Sequence, residues 1–357
     1  MKVLFVSEYG HPNSVVKSYF DGISPHCELA GGLINFWHGT LKYDIIHIQW
    51  PEELFNWHLF GEDDMQRLEQ RFEYWKSSGA RFVITRHNTL PHGVYYLYEP
   101  LFELCYKYSD AIIHLGAFSL EEFLAHDLYS KKINVIINHP NYLNIPNTVT
   151  KEDAVKKMHL PLDSVIYLSF GAIRYQREQD DLVQAFKKLK VRKKKLILTN
   201  SLYLKKIVPF RVSPIKAIRY KIKKIRLQRQ GIFIDENRNI NDSSIQNYFK
   251  AADIVIIPRI HQLNSGLIYL AFSFSKIVVG PNISNIGSLL KKTGNILYTP
   301  GDIDSYVDAL ERASKLPGGD KGKTNYEYVV HEGDMYKIGR EHVALYEKVM
   351  NENHSGQ

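Results

Sequence analysis

Short apolar runs alternate with longer amphipathic stretches along most of the chain. The short runs are rich in β-branched residues, as is typical of strands buried on both faces, and the longer stretches repeat apolar residues at helical spacing. This alternation predicts an α/β chain whose parallel sheets are covered by helices on both faces. The predicted strands are 2–6, 45–49, 82–85, 111–114, 135–138, 165–170, 195–199, 232–234, 254–257, 277–279 and 296–298.

A polar segment at 139–161 interrupts this rhythm with three prolines. Because prolines break both helices and strands, we interpret the segment as a boundary between two Rossmann-like, doubly wound domains. The first domain is predicted at 1–150 and the second at 151–330. Residues 331–357 contain a last amphipathic stretch, which predicts a helix that can pack back on the first domain.

The composition fits a globular protein. A chain of 357 residues with 44% hydrophobic content can build two cores. Its apolar runs are far shorter than the ~20 residues of a membrane span, and the apolar start at 1–6 is too short for a signal peptide. Cys27 and Cys105 match no metal or redox spacing, so we expect packing residues in a reducing compartment.

Positive charge is concentrated in one block. Residues 182–234 contain 17 Lys and Arg and no Asp or Glu. Because the whole chain carries a net charge of +8, the other residues together carry −9. Such a local excess indicates that one face meets a polyanionic surface.

Ligands of doubly wound sheets bind at the carboxyl ends of the strands, so the loops there are of most interest. The loop from Gly171 to Arg177 follows a predicted strand and precedes a helix. The glycine permits a sharp turn, and Arg174 and Arg177 are spaced so that both can face one diphosphate. Positive charge at a helix N-terminus is unfavourable without an anion, which favours a phosphate site over a solvated surface.

A second loop with phosphate chemistry follows the strand at 254–257. Ser265 is typical of a helix N-cap, and the helix that begins at Gly266 offers free backbone N–H groups to phosphate oxygens. Capping alone also accounts for Ser265. Because Ser265 and Gly266 are expected opposite Arg174 and Arg177, however, they predict the other half of a diphosphate site.

Two loops of the first domain suit a sugar hydroxyl. His87, Asn88 and His92 follow one strand, and imidazoles transfer protons near neutral pH while amides hydrogen-bond sugars. Trp50, Glu52 and Glu53 follow another strand and combine an aromatic wall with carboxylates. Each loop also fits an ordinary surface turn.

The pair Asp302 and Asp304 superficially matches a metal-binding Asp-x-Asp pattern. Because Asp302 opens an amphipathic stretch, we interpret it as an N-cap. No metal site is predicted.

In this order the motifs resemble the glycosyltransferases of the GT-B fold, most closely the group 1, family 4-like bacterial enzymes that build exopolysaccharide on a lipid carrier. Mannosyl- and glucuronosyltransferases are among them. The resemblance covers nearly the whole chain. It is carried by DIIHIQWPE (44–52), HNTLPH (87–92), GAIRYQR (171–177) and ADIVIIP (252–258) followed by Ser265-Gly266.

The resemblance implies two Rossmann-like domains that face a cleft, with the nucleotide sugar on the C-terminal domain and the acceptor on the N-terminal domain. It implies a metal-independent hexosyltransferase without a cofactor, whose donor is a nucleoside diphosphate sugar. Arg174 matches the phosphate-contacting arginine of the family, and Arg177 takes the place usually held by lysine. The residues assigned to the donor diphosphate are Gly171, Arg174, Arg177, Ser265 and Gly266.

The same resemblance assigns the catalytic and acceptor-binding side chains to the first domain. His87 matches a histidine that faces the transferred sugar. An inverting reaction also needs a general base near the acceptor hydroxyl, for which Glu52, His87, His92 and Glu8 are the candidates. The residues expected to bind the acceptor are Glu8, Trp50 and Asn88.

One feature departs from the family pattern. Retaining members commonly carry two glutamates eight positions apart around the second helix start, where this chain has Leu263 and Ala271. The missing carboxylates leave the stereochemical outcome open.

The basic insertion at 202–230 interleaves its cations with isoleucine, valine and aromatic residues. Such a segment can lie on an anionic leaflet, with each cation contributing ~1 kcal/mol, although a solvated basic loop remains the alternative. Nucleic acid is not the expected partner, because no recognised RNA or DNA module accompanies the charge. The expected membrane-binding residues are Lys205, Lys206, Arg211, Lys216, Arg219, Lys221, Lys223, Lys224, Arg226 and Arg229.

We therefore expect a cytoplasmic enzyme, peripheral on the cytoplasmic face of the inner membrane, that transfers a hexose to a polyprenyl-diphosphate-linked glycan or a polysaccharide. Two alternatives stay open. One is a nucleotide-sugar epimerase on the same fold, and the other is a non-catalytic scaffold that binds nucleotide sugar.

Overall fold

The computed structural model describes residues 1–11, 13–89, 95–125, 131–202, 213–237 and 240–352, without the side chains of Tyr95 and Tyr96. The chain forms two compact units. The first unit consists of Met1–Asn141 together with Glu332–Gln357, and the second unit is Tyr142–His331.

Each unit contains one parallel sheet, which has six strands within the described residues. The strand order is β2-β1-β3-β4-β5-β6 in the first unit and β12-β11-β10-β7-β8-β9 in the second. The strands are β1 (Lys2–Phe5), β2 (Glu28–Gly31), β3 (Ile45–Ile48), β4 (Arg81–Arg86), β5 (Ala111–His114), β6 (Ile133–Ile136), β7 (Val165–Ser169), β8 (Lys194–Leu198), β9 (Ile232–Ile234), β10 (Ile254–Ile256), β11 (Ile277–Pro281) and β12 (Ile296–Tyr298).

Helices connect consecutive strands in both units, as parallel pairing requires. They are α1 (Ser14–Ile23), α2 (Leu33–His38), α3 (Glu62–Ser77), α4 (Tyr95–Tyr108), α5 (Ala117–Leu124), α6 (Lys151–Lys157), α7 (Gln176–Lys188), α8 (Pro214–Arg229), α9 (Asp242–Ala251), α10 (Gly266–Ser273), α11 (Ser284–Lys292), α12 (Ile303–Ala313), α13 (Lys321–Glu332) and α14 (Met335–Asn351), with a 3₁₀ helix at Pro51–Phe55.

The strand order of each sheet reverses at one point. In the second sheet the chain winds outward from β7 to β9 on one side and from β10 to β12 on the other, so β7 and β10 lie at the reversal. In the first sheet β1 and β3 lie there. Because helices leave in opposite directions at such a point, a crevice opens at the carboxyl ends of the two strands.

The buried strands explain the continuous apolar runs in the sequence. In β7, Tyr167 packs into one hydrophobic cluster, while Ile166 and Leu168 pack into another. Successive side chains of a strand point to opposite faces, so the second sheet is covered on both sides. This confirms the predicted α/β class with two doubly wound sheets.

Strand β2 was not predicted. Its sequence, Glu28–Gly31, contains no β-branched residue, and it lies at the edge of the first sheet. An edge strand is half as enclosed as a central one, so its sequence carries a weaker hydrophobic signal.

The two units divide after Asn141, earlier than the predicted boundary at residue 150. The backbone N–H of Tyr142 donates to Ser273 Oγ at 3.0 Å, and Ile145 packs into a core cluster of the second unit. The segment after Asn141 is therefore tied to the second unit by its contacts, which its proline content did not reveal.

Helix α14 lies against α1 in the first unit. The backbones meet at two glycines: a Cβ on Gly339 would lie 1.9 Å from the Gly22 carbonyl oxygen, and a Cβ on Gly22 would lie 2.2 Å from the Met335 carbonyl oxygen. Neither position tolerates a side chain without separating the helices. Farther along α14, Tyr346 Oη lies 2.5 Å from His47 Nδ1 of β3.

Asp302 accepts hydrogen bonds from the backbone N–H groups of Asp304 and Ser305, which confirms it as the N-cap of α12.

Among the helices of the described residues, none combines the length and apolarity that crossing a membrane requires.

Candidate functional site

The loop after β7 makes a sharp turn at Gly171, whose φ is +81°. Residues with a side chain rarely adopt this left-handed conformation, which explains the glycine. The Gly171 N–H donates to Thr199 Oγ1 at 2.8 Å, so the end of β8 holds the turn in place. A Cβ at Gly171 would also lie 2.8 Å from Nη2 of Arg259. The glycine thus provides both the turn and the close approach of a guanidinium.

The buried carboxylate of Glu178, in the first turn of α7, connects this loop to the loop after β10. Its Oε2 accepts the backbone N–H groups of Arg174 and Tyr175, both at 3.2 Å, and its Oε1 accepts that of Ile260 at 3.0 Å. Carboxylates that accept several N–H groups form strong, charge-assisted hydrogen bonds. Glu178 therefore fixes the two loops that meet where the second sheet reverses.

Arg259 lies between these two loops and was not among the predicted site residues. Its Nε donates to the Ala172 carbonyl oxygen at 3.0 Å. Burial and the neighbouring charge of Arg174 lower the pKa of Arg259 to about 10. Burial likewise lowers the pKa of Arg174. The sequence signal was its position directly after a buried strand and Pro258, at the carboxyl end of the sheet.

Arg177 occupies a different setting from the one predicted. Its Nε lies 3.6 Å from the Asp181 carboxylate one turn farther along α7, and its side chain is 69% exposed. A Cβ at Gly301 would lie 3.0 Å from Arg177 Nη2. The second guanidinium beside Arg174 is therefore Arg259, while Arg177 has its own carboxylate partner.

Ser265 occupies the N-cap position of α10, as predicted, but the predicted capping hydrogen bond is absent. Its backbone is extended, and its buried Oγ has no hydrogen-bond partner in the described residues. A buried hydroxyl without a partner costs free energy that a ligand acceptor would offset. Gly266 begins the helix behind it, where the first N–H groups of a helix lack intrahelical acceptors.

The first sheet carries a connected hydrogen-bond network at its own carboxyl edge. His87 Nε2 lies 2.7 Å from Gln49 Oε1, and Gln49 Nε2 lies 3.2 Å from His47 Nε2. His47 Nε2 is also 2.8 Å from Thr85 Oγ1. Since an amide oxygen only accepts, His87 Nε2 carries the proton and donates to Gln49, while His47 Nε2 accepts and its Nδ1 donates to Tyr346. Tyr346 of α14 thereby holds His47 and, through it, the Gln49 amide that accepts from His87.

Burial makes the His87 imidazole neutral. It lowers the pKa of His87 to about 3, with a further contribution from nearby His139. The Trp50 ring stacks on His87 with centroids 4.5 Å apart, and His11 stacks on Trp50 at 5.9 Å. An imidazole with a pKa this low is a weak base, but it still forms hydrogen bonds.

The two neighbouring glutamates of the 3₁₀ helix are both buried, but they face different surroundings. Ser7 Oγ donates to Glu53 Oε2, and His11 Nε2 lies 4.0 Å from Glu53 Oε1. The Glu52 charge instead acts on Cys105 and Tyr106 of α4, and Glu52 Oε2 has no hydrogen-bond partner in the described residues. Of the pair, Glu53 is joined to the loop that follows β1.

Desolvation raises the pKa of both carboxyls to about 7. A carboxyl with this pKa exchanges its proton near neutral pH, as a general base must. Glu53 was not among the predicted catalytic residues, because adjacent glutamates in a turn give no sequence signal that tells which one faces the edge.

Two further predicted residues, Glu8 and Asn88, follow strands β1 and β4 of the first sheet. Glu8 is exposed, and its side chain lies 3.6 Å from the position that a Cβ on Gly32 would occupy. Asn88 follows His87 and is partly exposed. His92 lies outside the described residues. Within the described residues, no group of three or more His, Cys, Asp and Glu side chains is placed to hold a metal ion.

The predicted membrane-binding cations from Lys216 to Arg229 belong to α8. Lys205, Lys206 and Arg211 lie outside the described residues. Lys224 forms an ion pair with Glu236 at 2.8 Å, and Leu227 is buried in a core cluster of the second unit.

No protein-family model matches the chain, and no curated protein sequence matches it. Solved structures do match. Sucrose-phosphate synthase from Thermosynechococcus elongatus is 14% identical, with a TM-score of 0.69 over 98% of this chain and 99% of that one. Anabaena HepE in complex with UDP and glucose is 12% identical, with a TM-score of 0.70 over 98% and 100%. A glycosyltransferase from Rickettsia africae is 14% identical, with a TM-score of 0.65 over 98% and 99%.

At these identities the likeness establishes the fold. The chain has the GT-B fold, with two α/β units that each contain a parallel, doubly wound sheet.

Proposed function

We propose that this chain, with its GT-B fold, is a glycosyltransferase that moves a hexose from a nucleoside diphosphate sugar to a lipid-linked glycan or polysaccharide. The observation that carries the proposal is the pair Arg174 and Arg259, two partly desolvated guanidinium groups where the second sheet reverses. One carboxylate, Glu178, lies near both, and three backbone N–H groups already engage it. The excess positive charge suits a diphosphate.

The reaction would proceed by displacement at the anomeric carbon. The acceptor oxygen forms the new bond while the bond to the diphosphate breaks, and the nucleoside diphosphate leaves with the electron pair. Arg174 and Arg259 stabilise the negative charge that develops on the leaving phosphate, and the Ser265 hydroxyl donates a further hydrogen bond. This role requires no metal ion and no cofactor.

The acceptor proton would pass to Glu53. Its carboxyl is buried beside Ser7 and His11, and its pKa of about 7 matches the proton transfer. A base of this kind implies an inverting reaction, consistent with Leu263 and Ala271 standing where retaining enzymes carry glutamates. Neutral His87, held by Gln49, hydrogen-bonds the transferred sugar.

The proposed acceptor is a polyprenyl-diphosphate-linked glycan of exopolysaccharide synthesis. The enzyme would act as a peripheral protein on the cytoplasmic face of the inner membrane, because such a carrier is confined to the bilayer. The mixed basic and apolar sequence of α8 supports this location.

The first experiment is a thermal-shift panel with UDP, GDP, TDP and CMP on the wild type and on Arg174→Ala. A diphosphate at about 100 times its Kd should stabilise the wild type by ~2.7 kcal/mol, and the variant should lose most of this shift. UDP comes first because it is bound in HepE crystals. If no nucleoside diphosphate shifts the wild-type Tm, the proposed donor site is wrong.

Incubation with the matching nucleotide sugar then separates the alternatives. A transferase labels a lipid-linked acceptor in membranes from a producing cell and gives at most slow hydrolysis without one. An epimerase isomerises the donor without an acceptor. Binding with neither reaction would favour the scaffold.

A further inference from the structure

Helix α8 carries an exposed apolar stripe. Ile215, Ile218, Ile222 and Ile225 are between 48% and 65% exposed. Their spacing of three and four residues places them within an arc of about 80° on one side of the helix. Free exposure of four isoleucines in one row is unusual for a surface that meets only water.

The opposite side of α8 attaches the helix to the second unit. Leu227 is buried there, while Tyr220 Oη donates to Glu236 at 2.9 Å and Lys224 Nζ donates to the same carboxylate at 2.8 Å. These anchors lie roughly 100° to 180° around the helix from the isoleucines, if each residue advances by about 100°. The stripe therefore faces away from the unit that holds the helix.

A cationic groove runs beside the stripe, between α7 and α8. It is a cavity of about 630 Å³. Lys187 of α7 and Arg219 and Arg226 of α8 line it and form no ion pair or hydrogen bond within the described residues. Ile222 lines the same groove, so the stripe and the cations form one continuous surface.

Charge argues against a second copy of this chain as the occupant. The stripe has the spacing of the a and d positions of a coiled coil, with Arg219 and Arg226 beside it at e positions and Lys221 at a g position. Pairing two such helices would bring cations against cations. The helix also spans little more than two heptads between Pro214 and Arg229, whereas stable coiled coils need three or four.

We propose that α8 is a membrane-docking helix: the isoleucine stripe inserts among the acyl chains of an anionic bilayer, and the groove cations bind the phosphates of its phospholipid headgroups. A helix with an apolar face flanked by Lys and Arg lies in the plane of the membrane–water interface. It is held there by burial of the apolar face and by attraction of the cations to anionic lipid. This inference rests on the proposed function, because the lipid-linked acceptor is the reason to expect a membrane as the partner.

The test is flotation with phosphatidylcholine vesicles, with and without about a third of phosphatidylglycerol. Wild type should bind the anionic vesicles preferentially and dissociate as ionic strength rises. The double variant Ile218→Gln/Ile222→Gln should bind about 100-fold more weakly, because each isoleucine contributes about tenfold. Leu162→Gln, which replaces another exposed apolar residue of the second unit, should leave binding unchanged.

Arg219→Gln/Arg226→Gln tests the groove. It should lose about tenfold or more in affinity for anionic vesicles, and its binding should depend less steeply on salt. The matched control, Lys315→Gln, removes an exposed cation elsewhere on the second unit. Equal binding of wild type to both vesicle types would overturn the proposal, as would full binding by either double variant. A wild type that sediments as a dimer and becomes monomeric in the isoleucine variant would assign the stripe to self-association instead.

Nucleotide-induced thermal shifts on the same proteins separate this inference from the proposed function. Variants that release vesicles but retain the nucleotide shift show that docking is lost in a folded protein. Vesicle binding by a wild type that no nucleotide stabilises would refute the donor site and leave the docking helix intact.

Discussion

The carboxyl edges of the two sheets share one architecture and carry opposite chemistry. At the second edge, Arg174 and Arg259 retain their positive charge despite partial desolvation. At the first edge, burial makes His87 neutral and brings Glu53 to a pKa of about 7. The same loop geometry thus provides fixed charge in one unit and exchangeable protons in the other. Strand order therefore locates a site, whereas the desolvation of its side chains decides its chemistry.

The proposed general base, Glu53, should be the most sensitive position of the two edges. Glu53→Gln should lower kcat by a factor of about 10² to 10⁴, because an amide cannot accept the proton. For the wild type, kcat/KM should rise with pH and level off above about pH 7, since the base is active only when deprotonated. Initial rates across pH give both results, and the variant should lose the acidic limb.

Glu52→Gln is the matched comparison for that experiment. It changes the neighbouring buried carboxyl, which faces α4, and it should retain most of the wild-type rate and the acidic limb. If Glu52→Gln is the more damaging substitution, the assignment of the base to Glu53 is reversed.

The charged edge should be nearly as sensitive. Arg174→Ala and Arg259→Ala should each lower turnover about 100-fold, the usual size of one electrostatic contribution to the transition state. Arg177→Ala should change turnover less than about threefold, because its partner is Asp181. Steady-state kinetics with saturating donor decide the matter. A large loss in Arg177→Ala with near-normal Arg259→Ala would restore the pairing expected from the sequence.

The pH dependence of stability should reveal the buried Glu52 carboxyl, which faces α4. The pKa of Glu52 is raised from 4.5 to about 7, so the folded state loses stability as pH rises through this interval and carries the full cost above it. Glu52→Gln should therefore be more stable than wild type at pH 8, by on the order of 3 kcal/mol, and about equal at pH 5. Thermal unfolding at both pH values tests this. The exposed Glu103→Gln should show no such pH dependence.

The smallest effect is expected at Ser265. Ser265→Ala should change the free energy of unfolding by less than about 0.5 kcal/mol, because its Oγ caps nothing, and should weaken diphosphate binding by about tenfold. Asn241, whose side chain does cap α9, provides the comparison: Asn241→Ala should cost ~1 kcal/mol. A loss of similar size in Ser265→Ala would show that the serine acts as a cap in solution.

Most of the fold was predictable because buried strands have a continuous apolar sequence. The exception, β2, lies at an edge and contains Glu28 and Gly31 instead of β-branched residues. The location proposed for the donor site follows for a related reason: strand ends at a reversal of order converge, so the loops after β7 and β10 had to meet.

The composition of each site was less predictable. The three-residue spacing in the Gly171–Arg177 loop suggested that Arg177 accompanies Arg174. In the structure Arg177 pairs with Asp181, and Arg259 reaches the loop from the end of another strand. The directions in which the Glu52 and Glu53 side chains point depend on the rotation of one 3₁₀ turn. Tertiary contacts set that rotation, and a single sequence does not show them.

The glycine contact between α1 and α14 has a consequence for how the protein is made. About 190 residues of the second unit are synthesised between Asn141 and α14, which takes roughly 10 to 40 seconds on a ribosome. During that time α1 lacks the helix that packs on Gly22, and His47 lacks Tyr346. The first unit is therefore completed only after the second unit has been synthesised, and a chain that stops before α14 would leave Gly22 and His47 without these contacts.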